Sequence, residues 1–539
     1  MSGLLRSAGP ALVLAGLALL PFHNKAFTID DTLFLQQAQH VLVDPWHPTA
    51  FDVVWTEHPY PTRMSEIMVS GPVMAYLLVP TVMAGGAEWV AHLTQFLLLV
   101  VAICSTAQLG RRLGLDERTA CVSALLLVGS PAVLAMAATA MPDIAAMTFA
   151  ILGLERLAAW RDTRRWPAAV MGAASLALAI LARSHALLLL PLFAAFIVKQ
   201  AHSWSDWRRV PVRVWAPLLA APVLAVLGAL ALRDPHVSPV STAQATFRYS
   251  DWSFVGRNLI AFCSHWTLVL PVTIPWLILR WRAILKGPAI YLMTAGVAWM
   301  LAQDAPAARV WPVAIAAALG ARVLADIIVD GARRRDSIQL ALGLTLLAAI
   351  PVAFYQHLPS KYLLVSAPAA ALLIARALAL RAAPIAAPLT AGVVTIGLVL
   401  AVLIMRADAA FADLGRRAAD EFIKPHTAAG RSVWFAGHWG FQWYAEQAGA
   451  RCLTIRGPRP QTGDLIVSSQ MSLGGIVEAF GPRRYVASFT EDRPGGRIMT
   501  RGGGAGFYSN DWGFLPWTYG DDLLDRYTLW QLGSAVPSR

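Results

Sequence analysis

Two adjacent aspartates, Asp30 and Asp31, follow directly on the first apolar run of this 539-residue chain. A carboxylate held at a membrane edge can take the proton of an attacking hydroxyl or amine, which is the work of a general base. The same two acids, standing before Thr32, could equally cap a helix whose N-terminal dipole stabilises their charge. A third acid, Asp143 in Met141-Pro142-Asp143, lies between two apolar blocks. It too could be a cap, yet an acid so close to hydrocarbon is a functional candidate by default. Cations reach the same level. Arg183 ends an apolar block and is followed by Ser184-His185, Lys361 opens another block, and Arg63 lies in the stretch between the first two. Such cations could snorkel to headgroups or hold a lipid phosphate, whose geometry a guanidinium matches. His40, His47 and His58, with Asp44, Asp52 and Glu57, follow no standard zinc spacing. They read as solvated loop residues. No cofactor is expected, and a divalent metal stays an open alternative.

The elements that must position these residues are membrane helices. Hydrophobic residues make up 57% of the chain and charged residues only 14%, against about 25% charged in soluble proteins. Mean hydropathy is +0.54, and the apolar residues come in long blocks such as Ala11–Phe22, Phe96–Ala107 and Pro388–Met405. The net charge of +12 does not point to nucleic acid. The basic residues cluster in short loops between apolar blocks, as the positive-inside rule describes. Cys104, Cys121 and Cys263 lie in apolar blocks and Cys452 stands alone, so no disulfide framework is legible. After Arg6 the apolar run to Phe22 meets no cleavage site and reads as a retained helix.

Six basic loops, Arg111–Arg112, Arg161–Arg165, Arg208–Arg213, Arg280–Lys286, Arg333–Arg335 and Arg376–Arg381, are placed in the cytoplasm if two crossings separate each pair. Crossings then fall near 4–22, 88–109, 119–139, 143–160, 167–182, 185–200, 214–232, 256–279, 287–302, 306–325, 338–356, 361–380 and 385–405, about thirteen in all. Ile67–Ala84 is apolar enough to cross, but crossing would invert every later basic loop. With Pro72, Pro80 and Gly85-Gly86, it is expected to be interfacial or re-entrant. The outer face then receives the loop His23–Glu88, the loop around Asp143, the loop 233–255 and the tail. Within the first loop, Leu33, Phe34, Ala38, Val41 and Leu42 recur at helical spacing, suited to a surface helix. The chain therefore divides into a transmembrane domain, 1–405, whose first outer loop (23–88) carries the acids, and an outer α/β domain, 406–539. In the tail, Val433–Ala436, Asp464–Ser468, Arg484–Phe489 and Leu529–Leu532 read as strands and Phe441–Ala448 as a helix. The glycines of Gly495–Gly506 follow no phosphate-loop spacing.

In these features the sequence resembles the GT-C membrane glycosyltransferases, family 39-like, the group of the protein O-mannosyltransferases and the lipid A aminoarabinose transferase. The matching residues are Asp30-Asp31 after the first helix, the helix Leu33–Val43, the segment Glu66–Ala84 with Pro72 and Tyr76, and Met141-Pro142-Asp143. Arg183 before a leucine-rich run with Pro191, Lys361-Tyr362-Leu363 before Pro368, and the tail motif Gly437-His438-Trp439-Gly440-Phe441-Gln442 match as well. The resemblance implies a polyprenyl-phosphate sugar donor and a protein, glycan or lipid acceptor at the outer face of a bacterial cytoplasmic (inner) membrane. It implies Asp30 as catalytic base, with Asp31 and Asp143 orienting acceptor or sugar, and transfer with inversion. Arg183 and Lys361 would neutralise the leaving phosphate. The chain departs from the pattern at Met68-Val69-Ser70-Gly71, where relatives often carry a lysine; Arg63 is the nearby cation. A flippase or transporter is the rival reading, although such proteins tend to show internal repeats and midplane polar groups. A non-catalytic lipid-binding relative is the other.

Overall fold

The computed structural model describes the chain except residues 1, 56–57, 69, 198–210, 239, 242–243, 245–249, 271, 303–306, 473–475, 492, 501–503 and 534–539. Glu57, Val69, the first half of the Arg208–Arg213 loop and parts of the 233–255 and 495–506 loops thus lie outside the described residues. The ends of the segments expected at 185–200 and 306–325 do too.

Helices occupy the apolar blocks. Helix α1 spans Ser2–Leu19, and α2, Asp31–Val41, follows it after a short loop. The 25-residue helix Glu88–Arg112 has its acid in the first turn and Arg111 and Arg112 in the last, both favourable to the helix dipole. Asp116 caps the next helix, Glu117–Val128, by accepting the Thr119 N–H at 2.7 Å. That helix bends by 63° into Pro131–Ala137, because Pro131 cannot donate to the preceding turn. Among the described residues, five helices are long and apolar enough to cross a membrane, or up to seven if each of two bent pairs counts as one crossing. This marks a multi-pass membrane protein.

Ile67–Ala84 does not form one helix. It breaks into Met64–Ile67, Val73–Leu77 and Val79–Met83, with Pro72 and Pro80 at the breaks. Pieces of five residues reach only about 7.5 Å, far short of a ~30 Å hydrocarbon core. Gly71 lets this segment lie against the chain at Leu181, whose carbonyl oxygen would be 1.6 Å from any added Cβ.

The last long helix, Ala383–Ala418, runs 36 residues, about 54 Å at 1.5 Å per residue. The boundary expected at 405/406 therefore falls inside one continuous helix. Beyond it, a five-stranded sheet has the order Arg451–Cys452, Val433–Ala436, Leu465–Ser469, Arg526–Leu532, Arg483–Thr490. The first three strands pair in parallel and the last two antiparallel. Each strand expected in the tail is present, displaced by no more than a few residues, and the expected helix is Gly440–Gln447.

This tail is not a separate body on a tether. Phe435, Phe441 and Trp443 share one hydrophobic core with Phe27, Phe34 and the helical residues. The Tyr444 hydroxyl accepts the Phe27 N–H at 2.8 Å and donates to Glu88 at 3.0 Å. The Thr32 hydroxyl donates to the Trp439 carbonyl at 2.6 Å. Gly440 permits this docking, since a Cβ there would stand 1.9 Å from the Phe27 carbonyl oxygen.

Candidate active site

The site begins at a backbone strain. Ile29 has φ +40°, a conformation costly for a β-branched residue. It turns the chain from the loop after α1 into α2, and so aims Asp30 and Asp31 in different directions. The Asp31 side chain is fully buried. It accepts the N–H of Thr28 at 2.9 Å and of Ala140 at 2.8 Å. Burial pushes its carboxyl up to about 7 against the pull of Lys25 and of these two donors. Asp31 therefore ties the first loop to the segment before Asp143. Its side chain has no exposed surface and is not among those lining the cavity that Asp30 enters, where the resemblance had it orient acceptor or sugar.

Asp30 points the other way, with a third of its side chain open. It lines a cavity of about 130 Å³ with Trp55, Ser70, Arg183, His357, Lys361 and Tyr362. The Lys361 ammonium, itself buried, donates to Asp30 at 3.0 Å. Burial would raise the Asp30 carboxyl. The charge and hydrogen bond of Lys361, with Arg183 behind, more than offset this and hold it below the usual carboxylate range. Burial, helped by Lys361, pushes the His357 imidazole down to about 3, so it is neutral.

Arg183 reaches the same cavity from the end of the helix Trp166–Ala182. Its Nε and Nη2 donate to the two oxygens of Asp143 at 3.0 and 2.9 Å, and Nη1 donates to the Ser70 hydroxyl at 3.0 Å. Its guanidinium lies 5.1 Å from the Tyr362 ring centroid. Asp143, at 2% exposure, meets the cavity only through Arg183. A buried carboxylate beside a guanidinium pairs with it because neither charge has water to turn to. Asp143, which the resemblance had orient acceptor or sugar, is here paired with Arg183 through both of its oxygens.

Arg63 is drawn elsewhere. It binds Asp234 at 2.9 Å and Asp52 at 3.3 Å, and it is not among the residues lining this cavity. The structure therefore brings together Asp30, Arg183 and Lys361, sets Asp143 behind Arg183, turns Asp31 away and leaves Arg63 outside. Among the described residues, no group of three or more His, Cys, Asp or Glu converges as a metal site.

Sequence reasoning passed over a second cluster beneath the loop. The buried Lys25 ammonium lies 2.8 Å from Asp408. Asp408 also accepts the hydroxyls of Thr28 at 3.0 Å and Tyr508 at 2.7 Å. An acid on an apolar helix was the available signal. His357 was passed over too, and Tyr362 was read only as part of the motif at Lys361, without a role in the site.

Residues 69–229 match a family model described as dolichyl-phosphate-mannose-protein mannosyltransferase. That segment contains Asp143 and Arg183. No curated protein matches the chain. Among solved structures, ArnT from Cupriavidus metallidurans bound to undecaprenyl phosphate is similar at 13% identity and a TM-score of 0.46, covering 98% of each chain. The Archaeoglobus fulgidus oligosaccharyltransferase, in complex with zinc and sulfate, is similar at 14% identity and a TM-score of 0.48, covering 85% of this chain and 68% of that one. Over residues 69–229 the chain thus resembles the dolichyl-phosphate-mannose-protein mannosyltransferases.

Proposed function

We propose that the chain transfers a sugar, with inversion, from a polyprenyl-phosphate donor to a protein, glycan or lipid acceptor at the outer face of a bacterial inner membrane. The observation that carries this reading is one carboxylate, Asp30, a third open, sharing a cavity with the buried Lys361 and the half-buried Arg183. Base and phosphate-binding charge then border one space in which an anomeric carbon could sit. Asp30 takes the acceptor proton. The acceptor atom bonds to the anomeric carbon as the bond from that carbon to the phosphate oxygen breaks, and the electron pair leaves with the phosphate. Lys361 has three N–H donors and gives Asp30 one of them. Arg183 can turn Nη1 from Ser70 to a phosphate oxygen without releasing Asp143. Both donors then face charge as it develops. About thirteen crossings, a transmembrane domain over 1–405 and an outer domain over 406–539 complete the reading.

The test is complementation of a deletion strain, read by mass spectrometry of polyprenyl lipids and envelope glycans. Wild-type protein restores the missing modification, while Asp30→Asn leaves it absent with donor accumulating, a loss of roughly 10²–10⁴-fold in turnover. Full restoration by Asp30→Asn would remove Asp30 as the base.

A further inference from the structure

A second cavity, of about 450 Å³, opens between α2, the strand Asp52–Trp55 and the tail helix Gly440–Gln447. It lies within the size range of small-ligand sites, roughly 300–1,000 Å³. It follows the same seam as the Asp30 cavity. Leu33 and Trp55 line the first, and Gln36, His40 and Val53 line the second. On α2, Gln36 is one helical turn beyond Leu33, about 4.5 Å along the axis.

The walls of this cleft carry hydrogen-bonding capacity that the protein does not use. Gln36 is only 8% exposed, and its Oε1 has no partner. Its Nε2 donates to Glu446 at 2.9 Å, and Gln442 donates to the other Glu446 oxygen at 3.0 Å. Each Glu446 oxygen keeps a free lone pair. Among the described residues Glu446 has no basic partner, and burial raises its carboxyl. His40 Nε2 is buried without a partner. The His40 and Phe51 rings, with centroids 4.8 Å apart, form an apolar wall beside these groups. Unpartnered buried polar groups are costly, so in a native fold they ask for a ligand or water.

We infer that this cleft binds an uncharged, hydroxyl-rich sugar ring. Ring hydroxyls can donate to Gln36 Oε1 and Glu446 and accept from Gln39 and His40, while the ring's carbon face packs on the aromatic wall. The acceptor surplus disfavours a phosphate or carboxylate. Its role as the acceptor-side subsite, about two turns along α2 from Asp30, rests on the glycosyl-transfer reading; sugar binding itself does not.

The experiment is saturation-transfer NMR on the full chain in nanodiscs. The probes are the methyl glycosides of glucose, mannose and galactose, with methyl glucosaminide and glucose 6-phosphate as comparators. At least one neutral glycoside should show transfer, exceeding both comparators. Val43, at the rim, is 80% exposed, so Val43→Trp can fill the mouth without disturbing the buried groups. It should weaken binding about tenfold or more, as should Gln36→Leu, while Asp30→Asn binds as wild type does. No transfer from any neutral glycoside, undiminished transfer in Val43→Trp, or preference for the amine or phosphate probe would each overturn the assignment. In the complementation assay, glycan loss with Asp30→Asn and intact sugar binding supports both readings. Restoration by Asp30→Asn removes the base alone and leaves the sugar site standing.

Discussion

Replacing Asp31 by asparagine separates framework from chemistry at the acidic pair. Both Asp31 oxygens accept backbone N–H groups, from Thr28 and Ala140, and the side chain has no exposed surface. Asparagine keeps the shape but offers one oxygen and an NH₂ group. One of the two backbone donors must then face another donor. A hydrogen bond to a charged group is worth about 1.5–3 kcal/mol, and a buried donor left without a partner costs about 1–3 kcal/mol. The sum, about 2.5–6 kcal/mol, brackets the roughly 3–5 kcal/mol typical for breaking a buried charged contact. Lys25 also loses a nearby negative charge, which adds in the same direction. Unfolding in SDS, followed by tryptophan fluorescence in mixed micelles, measures this directly. Turnover per folded molecule should fall less than about tenfold, because Asp31 does not line the Asp30 cavity. A variant of full stability that has lost turnover would refute the argument, since Asp31 would then be acting on substrate.

Three further outcomes follow from the same geometry. Lys361→Met should move the acid limb of the turnover profile to higher pH. Asp30 is ionised above its depressed pKa and protonates as pH falls through it, and without Lys361 the opposing effect of burial is left to raise that value; an unmoved limb would show that Lys361 does not act on the base. Gly440→Ala should loosen the tail from the first loop, seen as faster proteolysis after residue 418, because a Cβ would collide with the Phe27 carbonyl; wild-type resistance would count against the docking. Single cysteines at Thr49 and Thr462 should react with an impermeant reagent on intact cells and one at Asp162 should not, and labelling at Asp162 would invert the proposed topology.

The helical segments were legible because apolar length and basic loops are local signals. So was the break in Ile67–Ala84, since Pro72 and Pro80 announce it wherever the segment lies. The tail strands were legible from alternation and β-branched runs. The partners of each charge were not. Thr28 and Asp408 are 380 residues apart and still share a hydrogen bond, and no periodicity carries such information. Asp408 sits just past the apolar block that ends at Met405, inside the expected outer domain that begins at 406. The helix in fact continues to Ala418 and carries Asp408 beneath the loop. Asp30 and Asp31 illustrate the same limit. Adjacent and chemically identical, they are told apart only by the φ of Ile29 and by which backbone donors lie within reach.

The two ion pairs in the cavity are unequal, and in the proposed reaction that inequality orders events. Arg183 and Asp143 form a two-bond pair with Asp143 at 2% exposure. Lys361 and Asp30 are joined by one bond, with Asp30 a third open. Without donor, the four charges sum to zero, which a low-dielectric site requires. A donor phosphate arriving there competes for cations. Against Arg183 it must displace the Ser70 hydroxyl, not a carboxylate. Against Lys361 the one carboxylate it competes with is Asp30, beside a weak bond to the Met141 sulfur. As phosphate draws the ammonium away, Asp30 loses the charge that held its proton affinity down and becomes the stronger base. The group that stabilises departure is thus the one that restrains attack until the donor is present. Water in a donor-free site meets a carboxylate already engaged, so the base is active only when there is a sugar to transfer.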